Sequence, residues 1–143
     1  MPSPTRSEIE ASPRSADLLV VDSGGVSRLA ERSTKALALI RSLRAANLWP
    51  PVVPTMVLVE SLPARPGRDA NVNRFLKTCI IDEAVPQTLA RRAAELRRWA
   101  GRGSAVDALV VTLAETGGTI LTGDLEDLGA LAAHAEHVAV LLV

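Results

Sequence analysis

The chain has no tyrosine, one phenylalanine and two tryptophans, so aromatics make up only 2% of its 143 residues. Apolar residues still account for 48%, and the core must therefore be built from Ala, Leu and Val. The three aromatics, Trp49, Phe75 and Trp99, are too few for an extensive base-stacking platform. A single cysteine, Cys79, cannot close an internal disulfide, which fits a reducing cytoplasm; within its apolar run it reads as a small core residue. Paired His or Cys ligands are also missing, which argues against zinc. No stretch approaches the roughly 18 unbroken apolar residues of a membrane span, so no membrane association is expected.

Lys and Arg are absent from the last 40 positions, although the net charge is zero. All 16 Lys and Arg precede residue 104, while Asp107, Glu115, Asp124, Glu126, Asp127 and Glu136 follow it. A solvated acidic tail would account for this pattern. The stretch is also strongly apolar, however, and so must fold into the domain. Some of its carboxylates then need a cation that the tail does not supply.

Residues 1–16, rich in Ser, Pro and charge and lacking an apolar h-region, read as a disordered lead-in. Residues 17–143 read as one domain. A strand is expected at Leu18–Val21 and a short helix around Val26–Ala30. Ser33 or Thr34 starts a helix to about Ala46, with Leu37, Ile40 and Leu43 near helical spacing; this face either packs on the sheet, the reading adopted, or meets a partner. Val52–Val53 forms a second strand, and Thr55 caps a helix running through Leu62. The segment "PARPGRD" reads as a loop, Asn71–Lys77 as a helix and "TCII" (78–81) as a third strand. Pro86 opens a helix with Leu89, Ala93, Leu96 and Ala100 on one face. Ser104 opens the helix Ala105–Thr116. "GGTILT" brings a fourth strand, Asp124–Ala133 a helix, and "VAVLLV" a fifth strand. This alternation predicts an α/β fold, a three-layer sandwich around a parallel sheet of about five strands.

Ligands of such sheets bind beyond the carboxyl ends of the strands. Asp22 ends the first strand, Glu60 lies in the helix after the second, Asp107 opens the helix begun by Ser104, and Asp124 follows the fourth strand with Asp127 three residues on. Each acid has an ordinary alternative role. Ser104 and Asp107 fit a capping box, Asp124 an N-cap with Asp127 in its first turn, Glu60 an exposed helix acid, and Asp22 a turn residue. Two placements weigh against those roles taken together: Glu60 follows the apolar run Val57–Val59, and Asp107 precedes "ALVVTLA". Gathered carboxylates near buried elements repel and lose hydration, which a hard dication such as Mg²⁺ relieves.

The stretches "LVVDSGGV", "PTMVLVESL", "SAVDALVVTLAE" and "ILTGDLEDLGAL" occur in the order and spacing of the PIN-domain ribonucleases. Over residues 18 to about 143 the chain resembles that family, and in size and layout the VapC-type toxins of bacterial toxin–antitoxin pairs. The resemblance implies that Asp22, Glu60, Asp107 and Asp124 bind the metal, Mg²⁺ or Mn²⁺, with Asp127 at a position acidic in some members. Thr122 and Ser23 would support the ligands from behind. It further implies hydrolysis of RNA phosphodiesters, a cognate antitoxin and a homodimer. The glycines of "DSGG" depart from the family's larger residues and introduce flexibility over the metal.

An acidic pocket needs basic residues around it to hold a polyanion. Arg28, Arg98 and Arg102 are the leading candidates for RNA binding, with Arg65, Arg68, Arg74, Arg91 and Arg97 as others; solvated surface is the ordinary role of each. Rival phosphoryl-transfer enzymes fail on particular residues. No lysine follows Lys77 to serve a receiver domain, Gly24 stands where a dehalogenase-like phosphatase places its second Asp, and no phosphate-binding P-loop sequence occurs. A non-catalytic interaction module of the same fold is the other alternative.

Overall fold

A computed structural model of the chain describes residues 18–143; the expected lead-in at 1–16 lies outside them. Five parallel strands, β1 (Leu19–Val21), β2 (Val52–Pro54), β3 (Ile80–Asp82), β4 (Thr119–Thr122) and β5 (Ala139–Leu142), form one sheet in the order β3-β2-β1-β4-β5. Between them lie α1 (Ser23–Ala30), α2 (Thr34–Ala45), α3 (Thr55–Ser61), α4 (Pro66–Leu76), α5 (Gln87–Ala100), α6 (Ala105–Ala114) and α7 (Leu125–Ala132). The α/β class and the parallel sheet are as the sequence implies.

The strand order fixes the layers. From β1 the chain steps outward to β2 and then β3, so right-handed crossovers put α1 to α4 on one face. It then returns past β1 to β4 and β5, which puts α5 to α7 on the other. The packing agrees: α1 contacts α2, α3 and α4, whereas α6 contacts α5 and α7. The core between them is aliphatic, with Leu19, Val20, Val21, Val53, Ile120 and Leu121 almost fully buried in the strands. Leu29, Val57, Leu96, Leu113 and Leu131 reach them from the helices. Strands buried on both faces are continuous apolar runs, as here. Among the described residues no helix is long and apolar enough to cross a membrane.

Several local expectations are corrected. Helix α1 starts at Ser23, three residues earlier than the sequence pattern predicts, because Asp22 caps it through the Gly25 amide at 2.8 Å. The glycines of "DSGG" are therefore helical and not a flexible loop. They are small because the backbone of β4 comes close: a Cβ on Gly25 would stand 2.6 Å from the Leu121 carbonyl oxygen and from Val21 Cγ1. One on Gly24 would stand 2.9 Å from Gly123 Cα.

"PARPGRD" is a loop only to Arg65, since Pro66 is the first residue of α4, where its missing N–H costs nothing. Thr55 is the first residue of α3 and not its cap; Pro54 holds that position without a side-chain bond. Strand β3 starts at Ile80 because the Thr78 and Cys79 amides still bond to Phe75 and Leu76 at the end of α4. Of the expected apolar face of α2, Leu43 is buried and Ile40 half-buried, while Leu37 is 39% exposed.

The glycine contacts yield a contrast. Gly25→Ala should lower unfolding free energy by about 1–3 kcal/mol, the usual cost of overpacking. Gly129→Ala, where a Cβ meets nothing within 4 Å inside α7, should raise it by about 0.5–1 kcal/mol. Urea denaturation of the two variants checks both signs.

Candidate functional site

Strands β1 and β4 lie side by side, yet the chain leaves them in opposite directions along the sheet. The crevice at such a reversal, beyond the carboxyl ends, is where ligands of open parallel sheets bind. An open cleft of about 470 Å³ lies there. Its walls include Asp22, Glu60, Asp107 and Asp124, together with Ser23. All four acids singled out from the sequence thus meet on one cleft.

Each of the three aspartates also serves a helix start, Asp22 and Asp124 as N-caps and Asp107 as the third residue of a capping box. Asp22 Oδ1 accepts from the Gly25 amide, and its Oδ2 accepts from the Thr122 hydroxyl across the sheet. Asp107 Oδ2 accepts from the Ser104 amide at 3.0 Å, and Ser104 Oγ accepts from the Asp107 amide, completing the capping box. Asp124 Oδ1 accepts from the Glu126 and Asp127 amides. The ordinary roles are therefore present, and they aim the carboxylates. Capping and lining the cleft are compatible because a carboxylate has two oxygens.

Thr122 is the hub behind the cleft. Fully buried, it donates to Asp22 and also accepts from the Asp124 amide at 2.8 Å. One hydroxyl thereby joins the ends of β1 and β4.

Electrostatics distinguish the cleft from the rest of the acidic tail. Arginines from earlier in the chain serve the other tail acids: Arg92 grips Glu115 through two bonds of 2.9 Å, and Arg102 pairs with Glu126 and Asp127. Among the described residues Asp107 and Asp124 have no such partner. Burial pushes the Asp22 carboxyl above the ordinary range, and the charge of Asp107 adds to this. Glu60 is raised as well, by the partial desolvation of an otherwise exposed carboxyl and by the charges of Asp107 and Asp22. The three acids feel one another.

No family model matches the chain, and no curated protein matches it.

Four of the expected site residues are placed otherwise. Asp127 does not line the cleft; its carboxylate accepts from Arg102 Nε at 2.7 Å. Arg102, 45% exposed, is paired with Asp127 and Glu126 and does not line the cleft. Glu60 is exposed, and Val59 before it is 81% exposed, so the apolar run does not bury that acid. Arg28 does line the cleft, as does Arg68, while Arg98 lies in a separate surface hollow with Arg97 and Arg102. None of the three aromatics lines the cleft.

Sequence reading missed Ser27 and Glu31, which line the cleft beside Ser23. Their signal was present, since positions 23, 27 and 31 repeat every four residues and share one helix face. It also passed over Asp82, buried at the end of β3 as Asp22 is at the end of β1. Asp82 stands two strands from β1 and does not line the cleft.

Among the described residues no group of three or more Asp, Glu, His or Cys converges tightly enough to hold a metal ion. The donor chemistry still fits a hard cation, being carboxylate and hydroxyl oxygen throughout.

Because its folded carboxyl is raised, Asp22 holds its proton more tightly in the folded chain than in the unfolded one. Its contribution to stability is therefore largest at acid pH and is lost as pH rises through the raised value. Asp22→Asn keeps an acceptor for Gly25 and removes the charge. In metal-free buffer at pH 7 it should raise the thermal midpoint by roughly 2–6 °C per kcal/mol of repulsion relieved. The gain should shrink as pH falls and Asp22 takes up its proton, which calorimetry across a pH series would show.

Proposed function

We propose that the chain is a divalent-metal-dependent endoribonuclease of the PIN type, acting as the toxin of a toxin–antitoxin pair. One observation carries the reading: Asp22, Glu60, Asp107 and Asp124, scattered over a hundred positions, line a single cleft at the sheet's reversal point without a cationic partner for the two tail acids. The four-motif resemblance supplies the reaction class. Those four residues would hold Mg²⁺ or Mn²⁺, and a bound dication supplies Lewis acidity at phosphate and a more acidic water.

The protein's own part is positioning and charge. Arg28 and Arg68 on the cleft wall offset repulsion between the acids and an incoming phosphodiester. With no aromatic in the cleft, recognition rests on backbone phosphate contacts and RNA shape. Thr122 fixes Asp22 and the start of α7 in one arrangement, so little reorganisation is needed when charge builds on the phosphate.

The antitoxin and a second copy of the chain are the protein partners the resemblance implies. A groove of about 420 Å³ between α1, α2 and α4 suits the antitoxin. Its floor includes Leu29, Leu37, Ile40, Trp49 and Phe75, and its rim Arg32, Arg41, Arg44 and Arg74, so an amphipathic acidic segment complements it.

A non-catalytic interaction module is the second reading. The absence of a tight metal cluster among the described residues favours it. One experiment separates the two. Purified chain free of antitoxin is incubated with structured RNA, with and without Mn²⁺, beside Asp107→Asn. Mn²⁺-dependent cleavage lost in the variant supports the nuclease. Metal-independent cleavage, or full activity in Asp107→Asn, rejects the site, and absence of dication binding by calorimetry favours the module. Thr122→Val should lower Mn²⁺ affinity and cleavage roughly 10–100-fold, as loss of a ligand-orienting hydrogen bond does.

A further inference from the structure

The segment joining α5 to α6 delivers Ser104 and Asp107 to the cleft, and it is fastened from several sides. Arg102 Nε donates to Asp127 Oδ1 at 2.7 Å and Arg102 Nη1 to Glu126 Oε1 at 3.1 Å, both on the first turn of α7. Arg97 Nε donates to the Gly103 carbonyl at 3.1 Å. Gly103 sits at a φ of +93°, and a Cβ there would stand 2.6 Å from Leu131 Cδ1. The segment is thus tied to α7 by an ion pair and by close apolar contact.

What lies on each side of this fastening gives it meaning. On one side, two residues past Arg102, the Ser104–Asp107 capping box aims Asp107. On the other, the amides of Glu126 and Asp127, the two residues Arg102 holds, are those that Asp124 caps. Asp107 and Asp124 are therefore each one hydrogen-bonded turn from the same guanidinium. Two of the five N–H groups of Arg102 are engaged by these carboxylates, so an anion approaching the guanidinium meets the charges of Glu126 and Asp127 beside it.

We propose that Arg102 is a positioning residue that fixes Asp107 relative to Asp124 across the cleft, and is not an RNA ligand. The catalytic part of this inference rests on the nuclease reading; the positioning part does not. Substrate phosphates then fall to Arg28 and Arg68 on the cleft wall.

Amide hydrogen exchange on the full chain tests the positioning directly. Arg102→Ala should speed exchange at Ser104, Asp107, Glu126 and Asp127 about two- to five-fold, in keeping with an exposed ion pair. The Ala36 amide, bonded to Ser33 Oγ at the start of α2, should not change. Arg102→Asp combined with Asp127→Arg should restore protection. RNA affinity, measured without divalent metal in an Asp22→Asn background, separates positioning from binding. Arg102→Ala should leave the dissociation constant and its salt slope unchanged, while Arg28→Ala should weaken binding and reduce the slope by about one. In Mn²⁺, Arg102→Ala should lower kcat with KM unchanged. Unaltered exchange at Ser104 and Asp107, or a flatter salt slope in Arg102→Ala, overturns the proposal. If the wild-type chain neither binds Mn²⁺ nor cleaves RNA, the nuclease reading fails, and the exchange experiment still decides whether Arg102 clamps the two helices.

Discussion

The bond from Thr122 to Asp22 joins residues a hundred positions apart, and the architecture of the cleft follows from it. It exists because β1 pairs with β4 in parallel, Val21 beside Leu121, so the next residues on each strand emerge together. Helix α1 can begin at once after β1 only because Gly24 and Gly25 let it lie against the backbone of β4. A bulkier pair would push α1 outward and carry Ser23, Ser27 and Glu31 away with it. Close backbone packing and site geometry are thus a single constraint here.

Capping and charge reinforce each other in the same place. A carboxylate at a helix N-terminus is stabilised by unsatisfied amides and by the helix dipole. Three helices, α1, α6 and α7, start at this rim, and each uses an aspartate there. The amides of three helix starts let like charges stand near one another without a guanidinium between them. Elsewhere the molecule uses arginine: Glu115, Glu126 and Asp127 are all served by side chains from α5 or just beyond it. That difference accounts for the uneven charge of the sequence. Arg92 and Arg102 answer the structural acids of the tail, and the cleft acids are left to the helix ends.

The alternation of short apolar runs with helical segments was legible, as were the five strands and the parallel sheet, because strands buried on both faces carry an unambiguous pattern. The four cleft acids were legible too, since strand ends and helix starts are marked by local residues such as Ser104 and Gly123. What was not legible depended on distant partners. Gly24 and Gly25 discourage a helix by their intrinsic propensity, and only the nearness of Gly123 and Leu121 explains them. Asp82 and Asp22 look alike in sequence, and strand order alone separates an edge position from the reversal point. Glu60 seemed embedded in apolar residues, but α3 turns Val59 and Glu60 outward together. Asp127 resembled a ligand by spacing, and an arginine 25 positions earlier claims it.

The strand order also has a consequence for how the chain is made. Strand β1 sits at the centre of the sheet, but its neighbour on one side is not synthesised until residues 119–122 leave the ribosome. Until then a nearly solvent-free strand has one open flank, and Asp22 has no Thr122 to hold it. A product that stops before Asp124 cannot assemble the cleft, so any activity residing there waits on the synthesis of β4 and the residues that follow it.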